Sequence, residues 1–272
     1  MSGAEVKLLA RRVIERRLRS LEPVTISETL FHYTTSETAL HKILGENTLK
    51  LNDVRSVRGD DCEVTYLRTE IEACVGRSAL DVPSQREYLA NLKRTFYDDF
   101  GTDWSIYVAC FTQAMDRPLH WMRYADGGRG VAIGFDTATL KKSGFALSHV
   151  TYDLADIRKK LDTTFTAAVE AYSRMRSWSP LKRRTYQFEV AAMQVVRLGS
   201  TTKRCDYSWE EEIRIVQFDD VIGHGFELRP FPASAVKHVI LGPQCTRNLP
   251  EVQLELTTRG YRNVVVSLSQ CT

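Results

Sequence analysis

Apolar positions alternate with polar ones over several short runs of the chain, and recur every three to four residues over several longer ones. The first pattern predicts strands and the second predicts amphipathic helices. Strands are expected at Thr29 to Tyr33 and in the runs TLKLND, SIYVACFT, GVAIGFD, ALSHVTYD, WEEEIRIVQF, GFELRPFP, VKHVILG and NVVVSLS. β-Branched and aromatic residues enrich most of them. A helix is expected over residues 4 to 20, where Val6, Leu9, Val13, Ile14, Leu18 and Leu21 form one face and Lys7, Arg11, Arg12, Arg16, Arg17 and Arg19 the other. SETALHKIL predicts a second helix, with Ser36 as its N-cap and Gly45 as its stop. Further helical patterns follow Glu63, resume at about Ser84 to Phe100, make a short turn at Leu119 to Tyr124, and run over 153–177 along Leu154, Ile157, Leu161, Phe165, Val169, Tyr172 and Met175. Two more are expected at about Lys182 to Val196 and Asn248 to Arg259, and Asp136 has the chemistry to cap a turn.

This order of elements predicts an α+β fold with short strands and helices set outside them. Residues 1–28 read as an N-terminal basic amphipathic helix. Residues 29–272 read as a single domain with helical insertions at about 64–100 and 153–197, since no linker is long enough to divide it.

Composition narrows the class without naming a chemistry. An apolar share of 43% and a charged share of 26% are ordinary for a globular chain of 272 residues. The 37 basic and 34 acidic residues leave a net charge of +3, too mild to imply nucleic acid by itself. The six cysteines make no CxxC pair and no zinc-finger spacing. Scattered thiols of this kind point to a reducing compartment, so a cytoplasmic location is expected. Charges interrupt the opening residues, and no apolar run approaches the roughly 18 residues that cross a bilayer. No membrane partner is expected. Phosphate loop, GxGxxG, HExxH and GxSxG motifs are absent, and GGRGVAIG leads into a strand rather than a helix.

Four stretches carry candidate chemistry. FHYTT places His32 between Phe31 and Tyr33 at a strand end, suited to a core position or to the mouth of a cleft. In SWEEEIRIV, a strand would put Glu210, Glu212 and Arg214 on one face and Trp209, Glu211, Ile213 and Ile215 on the other. That is either a surface strand with an ion pair or a positioned carboxylate. In HWMRYADGGRG, Trp121 and Tyr124 share a helical face and can stack a flat ring or plug a core. In SRMRSWSPLKRRTYQ, Arg174, Arg176, Lys182, Arg183 and Arg184 interleave with Trp178 and Tyr186, as a solvated loop or a nucleic-acid contact. A weaker candidate is a Mg²⁺ site at Asp60, Asp61 and Glu63, although such loops are more often solvated.

Taken in order, FHYTTSETALHKIL, LKLND, DDCE, ACFTQAMDRPLHWMRYADGGRGVAIGFD, KRCDYSWEEEIRIV, VKHVILGPQ and NVVVSLS resemble an uncharacterised bacterial family that looks like a divergent branch of the ADP-ribosyltransferase superfamily. The resemblance runs from about residue 29 to 269. It implies a split mixed or antiparallel β-sheet core with surrounding helices, holding NAD as substrate and no metal. His32, with Tyr33 and Thr34 beside it, corresponds to the superfamily's ribose-binding first-strand histidine, although the motif here reads H-Y-T. Tyr124, supported by Trp121, corresponds to the aromatic that stacks on nicotinamide. Glu212 corresponds to the catalytic glutamate and Glu210 to the upstream member of an E-x-E pair, with Arg214 holding Glu212 ionised. The implied activity is cleavage of the nicotinamide–ribose bond and transfer of ADP-ribose to a protein or nucleic-acid acceptor, in the role of a toxin or antiphage effector. An NAD glycohydrolase on the same fold is the near alternative. A non-catalytic nucleotide- or nucleic-acid-binding module is the distant one.

Overall fold

The computed structural model describes residues 26–54, 63–77, 105–173, 179, 193–219 and 225–271. The basic helix expected at 4–20, the carboxylates Asp60 and Asp61, the helix expected at Ser84 to Phe100 and the basic-aromatic stretch from Arg174 to Tyr186 (Ser179 apart) lie outside the described residues.

The strands are β1 (Thr29–Thr34), β2 (Thr48–Asp53), β3 (Ser105–Thr112), β4 (Val131–Asp136), β5 (Leu147–His149), β6 (Glu212–Asp219), β7 (Phe226–Pro230), β8 (Val236–Leu241) and β9 (Val265–Leu268). The helices are α1 (π-helical over Thr38–Ile43, then α-helical over Leu44–Glu46), α2 (Glu63–Arg77), α3 (Pro118–Tyr124), α4 (Thr137–Lys142), α5 (Leu154–Ser173), α6 (Met193–Ser200) and α7 (Leu249–Thr258). The fold is α+β, as the pattern predicts.

Among the described residues, nine strands join one sheet, whose main path runs β5-β6-β3-β1-β4-β8-β9. Every pairing is antiparallel except β8 with β9. The sheet branches at β3. One edge of β3 pairs with β6 along its whole length. The other edge meets β1 at Phe31↔Thr112 and β2 at Asn52↔Val108 and Asp53↔Tyr107. Between these contacts β1 and β2 part, and β2 continues into a separate two-stranded arm with β7. His32 sits at this fork, where its Nδ1–H donates to the Cys110 carbonyl at 2.8 Å and takes over a ladder position that the β1 backbone has left.

Strand alternation sorts the two faces. Phe31 pairs with Thr112, and Thr112 with Glu212, so these three share a face together with Tyr33, Cys110 and Arg214. His32, Phe111, Ile213 and Ile215 occupy the opposite face. That opposite face carries the main core, where Leu30, Leu51, Phe111, Phe135 and Ile215 pack against Leu40 and Leu44 of α1, Leu140 of α4 and Leu256 of α7. The Glu212 face meets α3, whose Trp121 packs with Phe31, Tyr33, Ala125, Ala132 and Ile240.

Two cap expectations are corrected. Ser36 does not cap α1; its hydroxyl donates to the Arg129 carbonyl at 2.8 Å, and Glu37 takes the cap position without a side-chain bond. Gly45 does not stop α1; the helix runs to Glu46, and Asn47 ends it at φ 53° in the left-handed region. Asparagine tolerates that region better than most residues with a Cβ. Asp136 caps α4 by accepting from the Thr139 backbone N–H at 2.8 Å.

A buried carboxylate cluster as candidate active site

The run WEEEIRIV does not enter β6 as a straight strand. Trp209 and Glu210 close a 3₁₀ turn, Cys205–Glu210, and Glu211 takes a left-handed conformation at φ 46° before β6 starts at Glu212. Glu211 is therefore thrown outward to solvent, where it meets Arg117 at 3.4 Å. Glu210 and Glu212 both turn inward.

The inward pair is held by two cations. Lys203 Nζ reaches Glu210 Oε2 at 2.7 Å and Glu212 Oε2 at 3.3 Å. Arg214 donates from Nε to Glu212 Oε1 at 2.7 Å and from Nη2 to Oε2 at 3.0 Å. Its Nη1 donates to the Ser200 carbonyl at 2.8 Å. Relative exposures are 4% for Glu210, 5% for Glu212, 8% for Lys203 and 1% for Arg214. Two negative and two positive groups thus balance in a space nearly closed to water. Such burial is tolerated only when the charges pair and bond fully.

The two carboxylates differ. Burial pushes Glu212 up, but the Arg214 charge and its hydrogen bonds outweigh burial, and the carboxyl falls to about 2 from 4.5. Lys203 and the Cys110 thiol add to the same effect. Glu212 stays ionised with both oxygens engaged. For Glu210 burial dominates and raises the carboxyl, although bonds from Lys203 and Tyr124 hold part of the rise back. The second Glu210 oxygen accepts from the Tyr124 hydroxyl. Its backbone carbonyl accepts from Thr112 Oγ1 at 2.6 Å and faces His120 Nε2 at 3.3 Å. The Tyr152 hydroxyl accepts from the Glu212 backbone N–H at 3.0 Å.

Aromatic rings roof the cluster. Tyr124 is 43% exposed and lies nearly parallel to Trp209, with centroids 6.3 Å apart and planes 21° apart. Burial and the neighbouring Glu210 carboxylate push the Tyr124 hydroxyl far up, so it remains a donor at any working pH. Trp121 does not join this roof. It is buried on Tyr33 and donates its indole N–H to Asp116 at 2.7 Å.

The structure therefore brings Glu210, Glu212, Arg214 and Tyr124 together. It separates His32 from them, across the sheet, with burial lowering the imidazole below its usual pKa. Tyr33 is a core residue whose hydroxyl donates to the Ala114 carbonyl at 3.2 Å. Thr34 ends β1 beside Gly130, where a Cβ would meet its carbonyl oxygen at 2.1 Å. Lys203 and His120 belong to the cluster without having been singled out in the sequence, and Trp209, expected on the face opposite Glu210, instead joins the roof because the 3₁₀ turn Cys205–Glu210 replaces the strand there. Two glutamates and one arginine leave a negative charge unbalanced, and that imbalance calls for a second cation such as Lys203.

Among the described residues, no group of three or more histidine, cysteine, aspartate or glutamate side chains has the arrangement of a metal site, and no helix is long and apolar enough to cross a membrane. A family model described as a protein of unknown function, DUF2971, matches residues 120–215, the span from His120 through Tyr124, Lys203, Glu210 and Glu212 to Arg214. No curated protein and no solved structure matches the chain.

Proposed function

We propose that this chain cleaves the nicotinamide–ribose bond of NAD and passes the ADP-ribosyl group to an acceptor, with Glu210 as the working carboxylate. The observation that carries the reading is the unequal pair. Glu212 is fixed and ionised by Arg214, whereas Glu210 is raised by burial and reaches the surface through Tyr124. Neighbouring carboxylates with separated protonation states can divide acid–base and electrostatic roles. When the bond from ribose C1′ to the nicotinamide nitrogen breaks, nicotinamide leaves neutral with the electron pair. The positive charge that develops at C1′ is stabilised by fixed negative charge. Glu210 then takes the proton from the attacking acceptor hydroxyl. With water as the acceptor the same steps give hydrolysis.

Tyr124 and Trp209 offer flat surfaces for the nicotinamide, and Lys203 keeps both carboxylates oriented. The branch of the sheet at β3 agrees with the split core that the resemblance implies. The reading keeps the two glutamates, Arg214 and Tyr124 from that resemblance and parts from it at three places. Glu210 replaces Glu212 as the reacting group, His32 carries no step, and Trp121 supports α3 rather than the ligand. The test is purified protein with NAD, following free nicotinamide and melting temperature together. Nicotinamide release supports the reading; a folded sample with neither release nor a melting shift contradicts it.

A further inference from the structure

His120 has no part in the steps above, yet it lies against the same cluster. It is 2% exposed. Its Nε2 faces the Glu210 carbonyl at 3.3 Å. An oxygen acceptor at that place makes Nε2 the protonated nitrogen and leaves the lone pair on Nδ1. Nδ1 is buried and has no hydrogen-bond partner. Buried acceptors are rarely left unpaired, and one beside a candidate site calls for a donor.

The surrounding rings indicate what shape that donor has. The His120 centroid lies 5.3 Å from Trp209 and 6.1 Å from Tyr124, which are themselves 6.3 Å apart. The three rings thus form a near-equilateral triangle. The planes of Tyr124 and Trp209 are 21° apart, and His120 stands at the third corner, inclined 74° to Trp209 and 53° to Tyr124. Tyr124 is half-exposed, so its ring is the one that can swing outward to admit a flat ligand ring against Trp209.

We infer that His120 is a specificity-determining residue whose Nδ1 accepts a hydrogen bond from the carboxamide N–H of a nicotinamide ring held between Tyr124 and Trp209. The identity of the ring rests on the function proposed above; the requirement for a planar ring bearing an N–H donor rests on His120. Burial lowers the His120 pKa, which keeps the lone pair bare at neutral pH. A carboxylate in place of the amide has no hydrogen to offer and sets a negative charge against the bare nitrogen and the nearby Glu210. Sites built around a buried acceptor discriminate strongly against analogues without the donor. Nicotinic acid, and the dinucleotide that carries it, are therefore poor ligands.

The experiment is a titration of the full chain, with ¹⁵N-labelled histidine, by nicotinamide, benzamide and nicotinic acid, observed by NMR. Nicotinamide and benzamide are expected to shift the His120 Nδ1 resonance, and nicotinic acid to leave it in place and bind at least ~10-fold more weakly. His120→Phe, which keeps a flat ring without the nitrogen, is expected to abolish that preference. If this variant fails to fold, the titration of the native chain decides. An unmoved Nδ1, absence of binding by any of the three rings, or a folded His120→Phe that still prefers nicotinamide overturns the inference. NAD turnover measured in parallel separates the two claims. Turnover with an unmoved Nδ1 leaves cleavage standing and removes the role of His120. A shifted Nδ1 without turnover does the reverse.

Discussion

Glu212 and Arg214 stand two residues apart on β6, face the same side of the sheet, and meet through two hydrogen bonds of 2.7 and 3.0 Å. This bidentate pair is the structural base of the cluster. Glu212→Gln leaves Arg214, 1% exposed, without its counter-charge. Removing one member of a buried pair costs about 3–5 kcal/mol. The melting temperature is expected to fall by roughly 6–20 °C, at about 2–4 °C per kcal/mol for a chain near this size. Thermal and urea unfolding check it, and an unchanged midpoint contradicts it. Loss of activity in this variant would reflect stability as well as chemistry.

Acid exposes the same pair. Glu212 falls to about 2 in the folded chain from 4.5. A depressed carboxyl contributes stability that is present above its unfolded pKa and lost as pH drops through the folded one. Its contribution therefore fades between about 4.5 and 2. Glu210 is raised and has the opposite sign: its preference for the protonated form favours folding below its unfolded pKa and is lost as pH rises through the folded value. Burial also lowers His32 and His120, whose contribution is present above their unfolded pKa and is lost as pH falls toward the folded one. Stability should therefore decline gently below neutrality, with Glu210 offsetting part of the loss, and steeply once Glu212 begins to protonate. Glu210→Gln should remove that offset, so the gentle decline becomes larger, and leave the steep decline in place. Urea midpoints across pH measure both.

Tyr124 tunes Glu210. Burial is the larger influence on this carboxyl, and the Tyr124 hydroxyl opposes it by donating to the ionised form. Tyr124→Phe removes that donor, so the Glu210 pKa should rise further. The acid limb of the rate profile should move to higher pH, and kcat/KM at neutral pH should fall by ~10-fold or more. A lower rate with an unshifted limb would assign Tyr124 to ligand stacking alone.

Gly130 and Gly242 hold the end of β4 against its neighbours. A Cβ on Gly130 would meet the Thr34 carbonyl oxygen at 2.1 Å, and one on Gly242 the Gly128 carbonyl oxygen at 2.2 Å. Both obstacles are backbone and cannot rotate away. Gly130→Ala should cost ~3 kcal/mol or more. Gly127, where a Cβ would meet nothing within 4 Å but φ is 63°, should cost only ~1 kcal/mol as alanine. Comparing the two melting temperatures separates close packing from backbone conformation.

The strands were legible because alternation survives in short runs. SIYVACFT and VAIGFD match β3 and β4 closely, as do the expected runs behind β2, β8 and β9. The entrance to β6 was less legible. Periodicity extends the strand back to Trp209, and nothing in EEE marks Glu211 as left-handed, because the turn is imposed by the inward pull of Glu210 and Glu212. The π-helical opening of α1 defeated the cap signals at Ser36 and Gly45 in the same way, since tertiary bonds to Arg129 and the strain taken by Asn47 decide that helix. Of the site, Glu210, Glu212, Arg214 and Tyr124 were visible as motif members. Lys203 was hidden because it lies in a polar stretch, GSTTKRCDYS, that reads as solvated loop. His120 was hidden because a lone histidine beside Trp121 on a short helical turn carries no motif of its own. The placement of His32 opposite Glu212 followed only from register, which needs Phe31↔Thr112 and Thr112↔Glu212 together.

The most direct measurement is nicotinamide release from NAD by the native chain and by Glu210→Gln, each with its melting temperature. Glutamine can still accept from Tyr124, and Lys203 keeps Glu212 as a partner, so the variant should melt within a few degrees of the native chain. Release should fall by ~100-fold or more if Glu210 is the acid–base group. A folded Glu210→Gln that releases nicotinamide at the native rate would contradict the central claim.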